Sequence, residues 1–152
     1  MVGRLVQKAD FECLLATPTH TRSAHFAVHH VASGPAPRKP APRAVLADKL
    51  STGTARPCPQ PVDDLPPSSP PSGHWLGCVV PKRHARRAVT RSLLKRQIRG
   101  AFHRHAATLA AGMWLVRLRS PFPVTEFVSA RSAALAAAAH DELDRLLARA
   151  AG

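Results

Sequence analysis

Trp75-Leu76-Gly77-Cys78-Val79-Val80-Pro81 is a short apolar run closed by a proline, and Lys82-Arg83-His84-Ala85-Arg86-Arg87 follows it as a basic connector. A run of this length and composition reads as a buried strand, because proline cannot donate to a sheet ladder and so ends it. Beyond the connector the apolar spacing changes to a helical period, and a helix is expected from about Ala88 to Ala107, stopped near Gly112. Met113-Trp114-Leu115-Val116-Arg117-Leu118-Arg119 then reads as a second strand, ended by Ser120-Pro121 and by Pro123.

Working outward, Leu135, Ala139, Leu143, Leu146 and Leu147 form one apolar stripe in a last helix expected over about Ser129 to Ala150. Towards the N-terminus, Phe11, Leu14 and Leu15 fall at helical spacing near residues 8–16, and His25 to Val31 alternates loosely as a strand does. Between these halves the chain changes character. Residues 32–74 hold 11 of the 15 prolines and very few large apolar groups. Neither a helix nor a ladder runs through such a stretch, so residues 32–73 are expected to be a disordered insertion. Pro67 and Pro70 make a bare P-x-x-P there, to which no role is assigned. The expected domain is therefore residues 1–31 together with 74–150. Its fold is expected to be a small two-layer α+β sandwich, a mixed four-stranded sheet with helices packed on it in the order α-β-β-β-α-β-α.

Charge points to function. The formal net charge is +13 over 152 residues, and from Trp75 to Arg119 there are 11 Lys/Arg and no Asp or Glu. From Thr125 onward, three Arg face four acids, so the excess is local. At about 100° per residue, Leu94, Ile98, Ala101 and Phe102 share one helix sector, while Ser92, Lys95, Arg96, Arg99 and His103 share another roughly opposite. A solvated helix normally mixes Glu with Lys for i,i+4 pairing. This one has no acid, and Arg87, Arg91, Lys95 and Arg99 at four-residue spacing repel one another unless a polyanion lies over them. Arginine forks match phosphate oxygens and stack on bases, so nucleic acid is the expected partner.

Other classes find less support. The longest apolar runs fall far short of the roughly 20 residues that span a bilayer. Asp10 and Glu12 break what would be an apolar signal core, so neither signal nor transit peptide is expected. Cys13, Cys58 and Cys78 are widely spaced with no C-x-x-C pair, which fits a reduced cytoplasmic setting. Nine histidines raise a metalloenzyme, but His29 and His30 point to opposite strand faces and no His/Asp/Glu cluster shows ligand spacing.

Gly77-Cys78-Val79-Val80-Pro81-Lys82-Arg83 with Ala88-Val89-Thr90-Arg91-Ser92-Leu93-Leu94-Lys95-Arg96-Gln97-Ile98-Arg99 resembles the protein component of bacterial ribonuclease P. In that family a G-L-x-V-x-K-K strand leads into a helix with an R-N-R-x-K-R-x-x-R signature. Asp10-Phe11 with Leu15, Ser23-Ala24-His25-Phe26 and the downstream strand and Leu-rich helix also stand in family order. The resemblance implies a ribosomal-protein-like RNA-binding fold and a protein subunit that binds a catalytic RNA and the 5′ leader of precursor tRNA. It implies RNA contacts by Lys82, Arg83, Arg87, Arg91, Ser92, Lys95, Arg96 and Arg99, and a leader cleft faced by Phe11, Leu15 and Phe26, against which core packing weighs for all three and most heavily for Phe26. It also implies Mg2+ held mainly by the RNA and none bound by the protein alone, no catalytic side chain from the protein, one protein per RNA, and no membrane. The alternative is a ribosomal or RNA-chaperone-like binding protein without a catalytic partner. Two departures stand out: the signature's Asn is Ser92, and its second Arg is Leu93.

Overall fold

The strand read from Trp75 to Val80 forms as β4 (His74–Val79), and the later strand forms as β5 (Gly112–Leu118). They lie side by side in parallel, with Leu76 opposite Trp114 and Cys78 opposite Val116. Parallel neighbours need a crossover, and α2 (Ala88–His105) supplies it. This computed structural model describes residues 2–36, 72–129 and 132–152. The rest of the described chain adds β1 (Val2–Arg4), α1 (Lys8–Ala16), β2 (Thr21–Arg22), β3 (Phe26–Val31) and α3 (Ala133–Ala151). The strand order is β1-β4-β5-β3-β2, with β3 antiparallel to both β5 and β2.

The sheet therefore has five strands where four were expected, the extra one being β1 at the front of an otherwise matching order. Val2, Gly3 and Arg4 pair in parallel with His74, Trp75 and Leu76. Three residues are too few to display an alternation, and only the neighbour makes them a strand.

The two sheet faces differ. On one, α2 and α3 cover Phe26, Val28, Leu76, Trp114, Val116 and Leu118, and the helices contribute Leu94, Ile98, Phe102, Leu143, Leu146 and Leu147. The whole expected α3 stripe is buried: Leu135 is 2% exposed and Ala139, Leu143, Leu146 and Leu147 are 0%. Truncating one of these leucines to alanine costs about 2–5 kcal/mol. On the other face a smaller cluster joins Leu5 and Leu14 to Met113 and Leu115, with Phe11, Val31, Trp75 and Val79 at its edge. Among the described residues α1 is the helix on this face, lying across β5 and β3. β5 is central and buried on both sides, which explains its near-continuous apolar run.

Most of the proline-rich stretch, residues 37–71 with Pro67 and Pro70, lies outside the described residues. Its near end is tied to the fold. The Ala36 amide donates to Asp10 Oδ1 (3.0 Å), and Gln7 Nε2 donates to the Ala36 carbonyl (2.6 Å). Asp10 is only 3% exposed, in the first turn of α1, where the helix dipole favours a carboxylate.

Candidate nucleic-acid interface

α2 divides as its periodicity requires. Leu94, Ile98, Ala101 and Phe102 are each 0% exposed against the sheet, whereas Ser92, Arg96 and Arg99 are exposed and Lys95 is half-buried at the margin. His103, Arg104 and His105 fill the last turn, where cations complement the helix dipole. Before the helix, the connector makes a tight turn in which the His84 and Ala85 amides donate to the Pro81 carbonyl, both at 3.1 Å. Lys82 and Arg83 project from it into solvent.

Two of the expected contact residues also hold the connector in place. Arg91 Nη1 donates to the carbonyls of Ala85 (3.0 Å) and Arg86 (2.7 Å). Arg87 Nη1 donates to the Val128 carbonyl (3.0 Å), linking the start of α2 to the segment after β5. The cations at 82, 83, 87, 91, 95, 96 and 99 thus form one strip along the connector and α2.

At the β1 edge this strip turns a corner. Arg4, Lys95 and Arg99 surround Cys78 beside Leu5, Phe11 and Leu76. Burial pushes the Cys78 thiol above its ordinary value, while the charges of Arg99, Lys95 and Arg4 pull the other way. Arg4 was not among the expected site residues. Its only sequence signal is its charge, because its place beside β4 depends on β1 forming.

Phe11 and Leu15 share a face of α1 and border the more open side of the sheet. The Phe11 ring lies on the backbone of β4 at Gly77, where a Cβ would stand 2.8 Å from Phe11 Cε1. Leu15 is 42% exposed. Phe26 does not join them. It is 0% exposed and packs under α2 and α3, so it offers no atom to a leader on the α1 side. Strand alternation is the reason: Phe26 and Val28 point to the helix face, and Ala27 and His29 point to the other. His29 is 4% exposed and its Nδ1 donates to the Thr17 carbonyl (3.0 Å). Arg117, aligned with Ala27 on the same face, adds a cation that was not among the expected site residues; its Nε is buried with no partner among the described groups.

The two signature departures are placed differently. Ser92 is exposed, so its hydroxyl is available to a phosphate. Leu93 is half-buried, and with Val89 it lines a groove of about 570 Å3 whose far wall is Ala133 and Ala136 of α3. A cation at 93 would lie against that alanine surface, whereas leucine packs on it. Among the described residues, no three His, Cys, Asp or Glu are grouped so as to hold a metal, and no helix is long and apolar enough to cross a membrane.

Among the described residues, a five-stranded mixed sheet, two helices on one face, one on the other, and an acid-free cationic strip along the crossover helix define a small basic α+β sandwich with one strongly cationic surface. A family model described as Ribonuclease P matches residues 2–150, and the chain belongs to that family. The ribonuclease P protein component of Burkholderia mallei is 46% identical over 76 residues, which cover 50% of this chain and 56% of that protein. The same component from Bordetella parapertussis is 46% identical over 67 residues, covering 44% of this chain and 50% of its own. These matches span about half the length of the curated relatives. Among solved structures, the Staphylococcus aureus RNase P protein superposes with a TM-score of 0.55 at 17% identity, covering 97% of this chain and 94% of that one, which shows a shared fold. A second structure of that protein gives a TM-score of 0.56.

Proposed function

We propose that this chain is the protein subunit of ribonuclease P, binding the catalytic RNA and the 5′ leader of precursor tRNA to support endonucleolytic removal of the leader. The observation that carries the proposal is the strip from Lys82 to Arg99: eight cations on the connector and α2, with no acid between Trp75 and Arg119. Such a strip is electrostatically costly alone and is stabilised by phosphates. In this reading Lys82, Arg83, Arg87, Arg91, Ser92, Lys95, Arg96 and Arg99 contact the catalytic RNA. Phe11 and Leu15 border the leader path along the open sheet face, where an aromatic ring stacks on bases with little sequence preference. Arg4 and Arg117, positioned at the corner and on that face, extend the set.

The protein supplies binding and orientation, not a nucleophile. In this reading the Mg2+ ions that activate water for phosphodiester hydrolysis are held mainly by the RNA, with none bound by the protein alone. One protein per RNA and a cytoplasmic setting complete the proposal.

A filter-binding titration against bacterial ribonuclease P RNA tests it. With about six phosphates neutralised, log K should fall against log salt with a slope of about −4 to −5. A slope near zero, or equal affinity for an unrelated structured RNA of the same length, would contradict it.

A further inference from the structure

The segment after β5 turns back over the start of α2 and encloses a cavity of about 320 Å3. Phe122 and Phe127 form its aromatic wall, with rings edge to face at 5.8 Å between centroids. Leu94 and Leu135 line it from the two helices, and Arg86 and Arg87 border it from the connector. The Phe122 ring is fixed from behind. It stacks on His25 at 4.0 Å and 13°, and His25 Nδ1 donates to Glu142 Oε2 at 2.7 Å. Arg87 is held over the segment by its bond to the Val128 carbonyl. The segment's one acid, Glu126, is exposed and is not part of the lining.

We propose that this cavity receives one unstacked nucleobase of the bound RNA, with Arg86 and Arg87 taking the phosphates on either side. The inference rests on the chain being an RNA-binding subunit, and it adds a base-accepting site to a surface otherwise made of phosphate contacts. Its size is at the small end for ligand pockets, suited to a single planar ring system. Aromatic rings stack on any base face, and RNA is commonly read through bases splayed out of the stack. A wall fixed in advance by the His25 stack avoids the ordering that binding otherwise costs. The cationic border favours a nucleotide over a neutral or basic protein side chain.

The test follows backbone amide resonances of the full chain at low salt during titration with adenosine 5′-monophosphate, with ribose 5-phosphate as the base-free control. Adenosine monophosphate should perturb residues 86–87, 122 and 127 saturably, and bind about tenfold more tightly than ribose 5-phosphate. Phe127→Ala, and Phe127→Leu should the alanine variant fold poorly, should remove that difference and leave the rest of the spectrum as in the parent chain. Equal affinity for the two ligands would overturn the proposal, as would perturbation confined to the α1 face or no effect of either variant. Stronger perturbation of the same amides by N-acetylphenylalanine amide would also overturn it, in favour of a protein side chain. Binding of ribonuclease P RNA by the parent chain is measured in parallel. RNA bound while the nucleotide leaves the cavity silent overturns this inference alone; failure to bind the RNA overturns the function proposed above and this inference with it.

Discussion

Arg91 donates from Nη1 to two successive carbonyls, so the outer end of its side chain fixes the path of the chain just ahead of α2. A lysine there keeps the charge but carries it on a shorter, less preorganised side chain. Arg91→Lys should therefore lower stability by about 1–2 kcal/mol, measured by thermal or urea melting, and weaken RNA binding by loosening the connector. An unchanged melting curve with weakened RNA binding would show that Arg91 acts only as a phosphate contact. The sequence made Arg91 visible as a cation, but its second role depends on where residues 85 and 86 turn. Leu93 is the reverse case: legible as a missing cation, and explained only once Ala133 and Ala136 are seen across the groove. Phe26 is a core residue, as the packing alternative had it and not as the resemblance implied, because its register turns it to the helix face, and a one-residue change of register moves a side chain to the opposite sheet face.

Among the elements, the turn between β2 and β3 is fastened to α3 through Glu142. Its Oε1 accepts from Ser23 Oγ and from the His25 amide (2.7 Å), and its Oε2 accepts from His25 Nδ1 (2.7 Å). Burial pushes this carboxyl up, but the hydrogen bonds from Ser23 and His25 and the His25 charge outweigh it and hold it below its ordinary value of 4.5. A carboxylate lowered on folding adds stability above its unfolded value and loses it as pH falls through the folded one. Glu142→Gln should thus be less stable than the parent by about 1 kcal/mol at neutral pH. The gap should narrow below pH 4.5, as read by urea melts across the acid range. A gap that is constant with pH would assign the effect to packing. The long elements were legible because their patterns are local: the α3 stripe and the β4 and β5 apolar runs each carry their own signal. β1, with three residues, exists only through its neighbour and was not expected; β2, with two, was counted in the expected order with no run of residues to place it.

Taken whole, the molecule keeps its two kinds of surface apart. Helices α2 and α3 close one side of the sheet and expose the cationic strip, while α1 leaves part of the other side open beside Phe11, Leu15 and Arg117. The strip and the open face meet at Arg4, Lys95, Arg99 and Phe11, so one RNA surface can run from the connector round the β1 edge to the sheet. The strip could be read from sequence, because acid-free spacing along a helix is a one-dimensional pattern. The corner could not, because it depends on a parallel pairing between residues more than 70 positions apart. The most direct measurement is cleavage of precursor tRNA by bacterial ribonuclease P RNA at a low magnesium concentration where the RNA alone is slow. Adding this chain should restore removal of the 5′ leader at a single site. Tight binding of the RNA with no change in cleavage rate would contradict the account and leave a binding protein without a catalytic partner.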